Sequence, residues 1–189
     1  DVCSSDLMPD PKASWDFLAA SDLVVGASDV EAAIERLAGE IVARLGGRYP
    51  LVLVVMGGAV VFAGRLLPLL RMPLDLDYLH ATRYGAATAG GGIEWRMPPP
   101  EGVRGREVLV VDDILDGGHT LAAIRDRILS MGAAAFHSAV LVEKALPQAR
   151  PIAADFVGLR IPDRFVFGCG MDAKGFWRNL PEIRAMRGS

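Results

Sequence analysis

Apolar residues in this chain form two patterns: short unbroken runs, and longer stretches with an apolar residue at every third or fourth position. Residues 51–55 and 108–111 are unbroken runs of Leu and Val, which are typical of strands buried on both faces of a parallel sheet. Further strands are predicted at 74–81, 93–97, 139–142 and 156–159.

Helical spacing separates these runs. Apolar residues over 30–45 predict an amphipathic helix that ends at Gly46. Ser28 and Glu31 have the spacing of a capping box and predict its start. Two more helices are predicted, one ending near residue 70 and one over 120–129. The alternation of strands and helices predicts an α/β fold, with a mainly parallel sheet flanked by helices on both faces.

The size of the chain is that of one domain. Its 189 residues are 51% hydrophobic, enough for a single core. We expect an N-terminal extension over 1–14 and a single domain over 15–189. Residues before Met8 share no pattern with the rest of the chain, so we expect the extension to be partly non-native and disordered.

Charge and composition restrict the partners. A net charge of -3 provides no strong positive field, so we expect no nucleic acid and no membrane partner. The chain lacks an apolar stretch near the roughly 18 residues of a membrane span and has no signal-peptide pattern, which predicts a cytoplasmic protein. Cys3 and Cys169 have no metal-ligand spacing, so neither a zinc site nor a disulfide framework is expected. The apolar content predicts a subunit interface, in a homodimer or homotetramer.

The most informative motif is the segment 112–120, Asp-Asp-Ile-Leu-Asp-Gly-Gly-His-Thr, between a predicted strand and a predicted helix. Its carboxylates suit sugar hydroxyls or a metal ion, while its glycines and the helix N-terminus suit a phosphate. Of the three histidines, only His119 in this segment is predicted to contact a ligand. The segment therefore predicts a site for a phosphorylated sugar, with a purely structural turn as the alternative.

Two other acidic motifs fit less well. An Asp-Asp-x-x-Asp magnesium clamp of prenyl-transferring enzymes lies on a helix, which Gly117 and Gly118 would break. A receiver domain places its acidic pair and its phospho-acceptor Asp on different strands.

Other candidates come directly after predicted strands or lie near the C-terminus. Residues 56–58, Met-Gly-Gly, allow an anion to approach the backbone, although a tight turn explains them equally well. Lys144 lies at a strand's carboxyl end, and the aromatic residues of 161–168 suit a flat base. Asp172 and Arg178 would ligate magnesium and pyrophosphate or simply face water.

Several motifs together resemble the type I phosphoribosyltransferases, and within them the bacterial hypoxanthine-guanine phosphoribosyltransferases. The similarity runs from about residue 15 to 183. The segment 112–120 is typical of the superfamily. Asp-Phe-Val-Gly at 155–158, Ile-Pro-Asp-Arg-Phe-Val at 161–166 and Trp-Arg-Asn-Leu-Pro at 177–181 narrow it to the purine group.

The resemblance implies the type I phosphoribosyltransferase fold, in which the terminal segments form a small hood. It also implies an enzyme of purine salvage, a Mg²⁺-dependent glycosyltransferase. Such an enzyme transfers the 5-phosphoribosyl group from phosphoribosyl pyrophosphate to the 6-oxopurines hypoxanthine or guanine, giving IMP or GMP and pyrophosphate.

The resemblance further implies a role for each site residue. Asp112 and Asp113 would hold the ribose hydroxyls, and Asp116 would be the catalytic acid/base. The remaining roles are phosphate binding by Asp116, Gly117, Gly118, His119 and Thr120, pyrophosphate binding by Met56, Gly57 and Arg178, base binding by Lys144, Phe165 and Val166, metal binding by Asp172, and closure of a mobile loop that carries Arg83 and Tyr84. The peptide between Met56 and Gly57 is often cis in this family.

Three residues depart from the family's pattern. Gly117 replaces a hydroxyl or acidic residue, Cys169 a tyrosine, and Arg83 a serine before the loop tyrosine. None removes a catalytic group. Two alternatives stay open: a non-catalytic sensor of phosphoribosyl pyrophosphate or nucleotides, and an enzyme that prefers xanthine or another base.

Overall fold

The computed structural model describes residues 10–83 and 93–188, except for the side chain of Arg83. Its helices are α1 (Pro11–Ala19), α2 (Ala27–Leu45), α3 (Val60–Leu66) and α4 (His119–Ser130). Its strands are β1 (Ser21–Val25), β2 (Leu51–Val55), β3 (Asp75–Arg83), β4 (Ile93–Met97), β5 (Glu107–Leu115), β6 (Ala135–Ala145), β7 (Phe156–Pro162), β8 (Val166–Phe167) and β9 (Ile183–Met186). Short 3-10 helices lie at Leu67–Leu69 and Glu101–Val103.

A six-stranded sheet in the order β4-β3-β2-β5-β6-β7 forms the centre of the molecule. Strands β3, β2, β5, β6 and β7 are parallel, and β4 is antiparallel at one edge. Every residue of β2 is buried, as its unbroken apolar sequence predicted. The predicted α/β class and mainly parallel sheet are confirmed.

The chain reverses its direction of travel across this sheet between β2 and β5. The crossover through α3 leads from β2 outward to β3, and the crossover through α4 leads from β5 the other way to β6. Because such crossovers are right-handed, α3 and α4 cover opposite faces of the sheet. A crevice for ligands opens at the carboxyl ends of the strands at such a reversal.

A smaller antiparallel sheet in the order β1-β9-β8 forms a hood from the two terminal segments. Helix α1 packs on this hood: the Phe17 and Phe167 ring centroids are 5.3 Å apart, and Trp177 Nε1 donates to the Ser14 carbonyl oxygen at 2.8 Å. The boundary that we expected after residue 14 falls inside α1. The expectation for residues 1–7 lies outside the described residues.

The start of α2 differs from its prediction. Its N-cap is Gly26 rather than Ser28, and no side chain caps it, so the predicted capping box is wrong. The extended Gly26 comes directly after β1, and its carbonyl oxygen accepts the N–H of Val30 at 3.0 Å. Glu31 instead forms an ion pair with Arg65 of α3.

Strand β5 is longer than its apolar run. It continues to Leu115, and Asp112 pairs with Val140 of β6. Asp112 and Asp113 are therefore strand residues rather than loop residues, and only 116–118 form the turn into α4. Their place in the strand fixes the backbone positions of both aspartates.

None of the helices within residues 10–83 and 93–188 is long and apolar enough to span a lipid bilayer. The cytoplasmic location stays a prediction.

Candidate functional site

Two adjoining cavities open at the carboxyl edge of the sheet. The larger, of about 460 Å³, is lined by the ends of β2, β3 and β5 and by the first residues of α4. The smaller, of about 200 Å³, lies between the ends of β5 and β6 and the hood. The two cavities share lining residues, which are Asp113, Ile114, Asp116 and Arg178. Ligands in the two cavities would therefore contact the same side chains.

Two adjacent carboxyl groups lie at the floor of the larger cavity. Asp112 is buried, and its Oδ1 accepts the N–H of Asp113 at 3.0 Å. Burial raises the pKa of Asp112 well above its usual range, and the neighbouring Asp113 carboxylate adds to this effect. Burial also raises the pKa of Asp113. Hydrogen bonds, of which the one with Asp112 has the largest effect, offset part of this rise. Such a pair favours ligands that donate hydrogen bonds, such as sugar hydroxyls.

The turn after β5 is built to receive an anion. Gly118 is the N-cap of α4 with a φ of 78°, a conformation that glycine adopts without strain. No side chain caps the helix, so the first N–H groups of α4 are available to a ligand. Gly117, His119 and Thr120 line the cavity at the same place. These residues are the ones predicted to bind phosphate.

The turn after β2 forms the opposite wall of the larger cavity. Met56 and Gly57 line it, and the peptide bond between them is cis, as the resemblance implied. A Cβ atom on Gly58 would lie 1.9 Å from Asp113 Oδ2, so a larger residue here would force the Asp113 carboxyl group to move. A Cβ atom on Gly170 would lie 1.8 Å from the Gly58 carbonyl oxygen. The backbone of the hood thus rests directly on this turn.

Lys144 lines the smaller cavity. It is buried within β6, and its Nζ lies 3.0 Å from Asp116 Oδ2 and 3.5 Å from Asp163 Oδ1. Phe165 and Val166 line the smaller cavity beside it, and half of the Phe165 surface is exposed. An ammonium group beside a free aromatic face suits a flat, hydrogen-bonding ring.

Asp172 and Arg178 form an ion pair beside the smaller cavity. Arg178 Nη2 lies 2.6 Å from Asp172 Oδ1, and Arg178 Nη1 donates to the Gly170 carbonyl oxygen at 2.7 Å. The other Asp172 oxygen accepts the N–H of Gly175 at 2.7 Å. The segment between β8 and β9 therefore places the Arg178 guanidinium group where the two cavities adjoin and the Asp172 carboxylate in the smaller cavity.

The described residues contain no group of three or more His, Cys, Asp or Glu side chains that could enclose a metal ion. Proteins commonly hold Mg²⁺ through one or two carboxylates together with substrate oxygens and water. Asp172 supplies such a carboxylate at the edge of the smaller cavity.

Almost every residue proposed for the site is brought together by the structure. The two cavities include all of the predicted site residues except Arg83 and Tyr84. The backbone of Arg83 lies at the end of β3, whereas Tyr84 and the predicted mobile loop lie outside the described residues. The individual roles of the site residues stay predictions.

The residues at the site that were not singled out include His80 and Asp163. His80 lines the larger cavity, contrary to our expectation that only His119 would face a ligand. The signal was available, since His80 lies near the carboxyl end of β3, next to β2. Asp163 lies within a quoted motif, but its contact with Lys144 depends on the turn between β7 and β8.

The sequence model of one known family, the phosphoribosyl transferase domain, matches residues 26–174. The chain belongs to the phosphoribosyl transferase domain family. The match covers the sheet strands from β2 to β7, both turns that line the larger cavity, and Lys144.

Proteins similar to this chain include bacterial enzymes that are named for purine substrates. The "Hypoxanthine-guanine phosphoribosyltransferase" of Streptococcus pneumoniae is 29% identical over 166 residues, which cover 87% of this chain and 92% of that protein. The "Bifunctional protein TilS/HprT" of Listeria innocua is 32% identical over 166 residues, 87% of this chain but only 26% of that longer protein. A crystal structure of a hypoxanthine-guanine phosphoribosyltransferase from Bacillus anthracis is 27% identical, with a TM-score of 0.79 and coverage of 87% of this chain and 95% of that one.

Proposed function

We propose that this chain is a purine salvage enzyme that transfers the 5-phosphoribosyl group from phosphoribosyl pyrophosphate to hypoxanthine or guanine. The products are IMP or GMP and pyrophosphate. Family membership and the names of the similar bacterial proteins support this reaction. One observation carries it. Asp116 lines both the larger cavity, which suits an anion, and the smaller cavity, which suits a flat ring, and its Oδ2 lies 3.0 Å from Lys144 Nζ.

Phosphoribosyl pyrophosphate would occupy the larger cavity. Its ribose hydroxyls would donate to the side-chain oxygens of Asp112 and Asp113 on the floor of the cavity. Its 5-phosphate would accept hydrogen bonds from the N–H groups at the start of α4 and from the Thr120 hydroxyl. The ribose would then point its reactive carbon toward the smaller cavity.

The purine would occupy the smaller cavity. Phe165 would stack on its face, the Val166 backbone would bind its edge, and Lys144 would donate to its 6-oxo group. Adenine carries an amino group there, itself a donor, so Lys144 would discriminate against adenine.

Asp116 would act as the general base of the reaction. The bond between C1 of the ribose and the pyrophosphate oxygen breaks, and its electron pair leaves with pyrophosphate. N9 of the purine forms the new bond to C1, and the proton that the purine loses passes to Asp116. General base catalysis of this kind contributes about a hundredfold or more.

The leaving pyrophosphate would be bound by Arg178 and by the backbone of Met56 and Gly57. Asp172 would hold Mg²⁺ beside it. When bound, Mg²⁺ neutralises part of the charge that develops on the departing oxygens. Arg178 would contribute in the same sense, since its guanidinium group is held by the Gly170 carbonyl oxygen.

A second copy of the chain is the proposed partner, in a homodimer or homotetramer. An apolar groove of about 480 Å³ between α3 and β3 supports it, with Val60, Leu76 and Tyr78 each about half exposed along its length. Exposed apolar patches of this kind mark contact surfaces. Light scattering after gel filtration tests it: a monomer at micromolar concentration would contradict it.

A panel of bases tests the proposed reaction. The purified chain is incubated with phosphoribosyl pyrophosphate, Mg²⁺ and one base, and pyrophosphate release is measured. We expect turnover with hypoxanthine and guanine and little with adenine. Preference for xanthine would change the substrate but not the reaction. Binding of phosphoribosyl pyrophosphate without turnover on any base would instead identify a non-catalytic sensor.

A further inference from the structure

The turn that is predicted to bind phosphate is hydrogen-bonded to a side chain that lies outside both cavities. Arg150, in the loop between β6 and β7, donates through Nε to the Asp116 carbonyl oxygen and through Nη2 to the Lys144 carbonyl oxygen. Its Nη2 also lies 3.4 Å from the Leu115 carbonyl oxygen. One guanidinium group thus joins the carboxyl ends of β5 and β6.

Arg150 is itself firmly held. Its side chain is only 14% exposed, and Nη1 lies 3.2 Å from Glu143 Oε1. The other Glu143 oxygen accepts a hydrogen bond from Arg160 of β7 at 2.9 Å. Arg150 also lies beneath the turn, because a Cβ atom on Gly118 would meet Arg150 Cβ at 3.4 Å.

The orientation of one peptide group depends on these contacts. In a planar trans peptide the carbonyl and the following N–H point in opposite directions. Arg150 holds the Asp116 carbonyl oxygen on the side away from the cavity, so the N–H of Gly117 points the other way. Gly117 has no side chain to restrict its backbone and would otherwise allow this peptide to rotate.

We infer that Arg150 is a positioning residue, which fixes the Asp116–Gly117 peptide so that the Gly117 N–H faces the phosphate of the bound substrate. Arg150 lines neither cavity. The inference deepens the proposed function and rests on it, because the phosphate to be oriented is that of phosphoribosyl pyrophosphate.

The test compares Arg150→Ala with a matched control. Arg36 also donates to two backbone carbonyl oxygens, of Val157 and Gly158, and pairs with Glu40, but it lies on α2 away from the cavities. Arg36→Ala therefore reports the general cost of losing such contacts. For each folded variant we would measure the Kd of phosphoribosyl pyrophosphate by calorimetry and the KM of guanine by steady-state kinetics.

We expect Arg150→Ala to raise the Kd of phosphoribosyl pyrophosphate about tenfold or more, because a hydrogen bond to a charged phosphate is lost. The KM of guanine should change less, and Arg36→Ala should leave both constants within about twofold of wild type. A Kd for Arg150→Ala within about twofold of wild type would overturn the inference. So would equal weakening of both substrates, which indicates general loss of structure.

Conservative variants keep the test decisive if Arg150→Ala does not fold. In Arg150→Lys a single ammonium group cannot reach the three carbonyl oxygens that the guanidinium fork reaches, so we expect about a threefold rise or more in the Kd. An unchanged Kd in this variant overturns the inference. Wild type is measured alongside: if it neither binds nor turns over phosphoribosyl pyrophosphate, the proposed function fails, whereas an active wild type and an equally active Arg150→Lys contradict the role of Arg150 alone.

Discussion

Lys144 and Asp116 form an ion pair, with Lys144 Nζ 3.0 Å from Asp116 Oδ2. The group proposed to recognise the base and the group proposed to take its proton thus lie within reach of one purine. Asp163 Oδ1 lies 3.5 Å from the same ammonium group. If Asp116 takes up a proton in the proposed reaction, Asp163 would still provide a counter-charge for Lys144.

Asp116→Asn tests the proton acceptor. The amide keeps the size of the side chain but cannot take up the proton, so we expect kcat to fall about a hundredfold or more. The Kd of phosphoribosyl pyrophosphate should change much less, because the backbone of the turn is preserved. Asp126→Asn, at an exposed carboxylate on α4, is the control. Unchanged kcat in Asp116→Asn would remove Asp116 from the chemistry.

Lys144→Ala tests recognition of the 6-oxo group. Loss of a donor to a buried carbonyl costs about 1–3 kcal/mol, so we expect kcat/KM for guanine to fall roughly 5- to 150-fold. Lys12→Ala, at an exposed lysine of α1, serves as the control in the same assay. Guanine kinetics equal to wild type would place the recognition of this group elsewhere.

Asp112→Asn should separate stability from binding. Burial raises the pKa of Asp112 above its value of 3.8 in model peptides, so the folded protein favours the neutral form and loses stability as the pH rises above about 4. The neutral amide avoids this loss. We expect a higher Tm than wild type at pH 7, by about 2–4 °C for each kcal/mol, and a smaller difference at pH 5.

The same variant should bind phosphoribosyl pyrophosphate at least tenfold more weakly, because a ribose hydroxyl would lose its carboxylate. Differential scanning calorimetry at both pH values and titration calorimetry measure the two effects. A Tm lower than that of wild type at pH 7 would contradict the burial argument.

Gly170→Ala tests the contact between the hood and the turn after β2. Its Cβ atom would lie 1.8 Å from the Gly58 carbonyl oxygen, so the hood must move. Gly175→Ala is a matched control, because Gly175 also has a positive φ, of 85°, but a Cβ there meets nothing within 4 Å. Backbone strain alone costs about 1–2 kcal/mol. We expect Gly170→Ala to lower the Tm clearly more than Gly175→Ala does, and to weaken substrate binding. Equal effects would show that only the backbone strain matters.

The sheet could be predicted because its strands are apolar on both faces. Val52 and Val110 are fully buried, and their runs mark the two central strands whatever surrounds them. A turn containing Gly117 and Gly118 could also be predicted, although the predicted loop began at Asp112 and the turn begins at Asp116. Many of the residues that line the cavities could therefore be predicted from short local segments.

Features that depend on contacts between residues far apart in the sequence could not be predicted. The start of α2 is set by the position of β1 and by the pairing of Glu31 with Arg65, which no local pattern encodes. Strand β5 includes Asp112 because β6 supplies its hydrogen bonds, although aspartate is disfavoured in strands. Arg150 was missed for the same reason, since its carbonyl partners at 115 and 116 are far away in sequence.

The shared wall of the two cavities has a consequence for inhibitor design. A flat heterocycle in the smaller cavity and an acidic group in the larger one would both contact the shared lining residues, which are Asp113, Ile114, Asp116 and Arg178. A short linker between two weak fragments would make the second contact intramolecular, so their combined affinity would exceed that of either fragment by orders of magnitude.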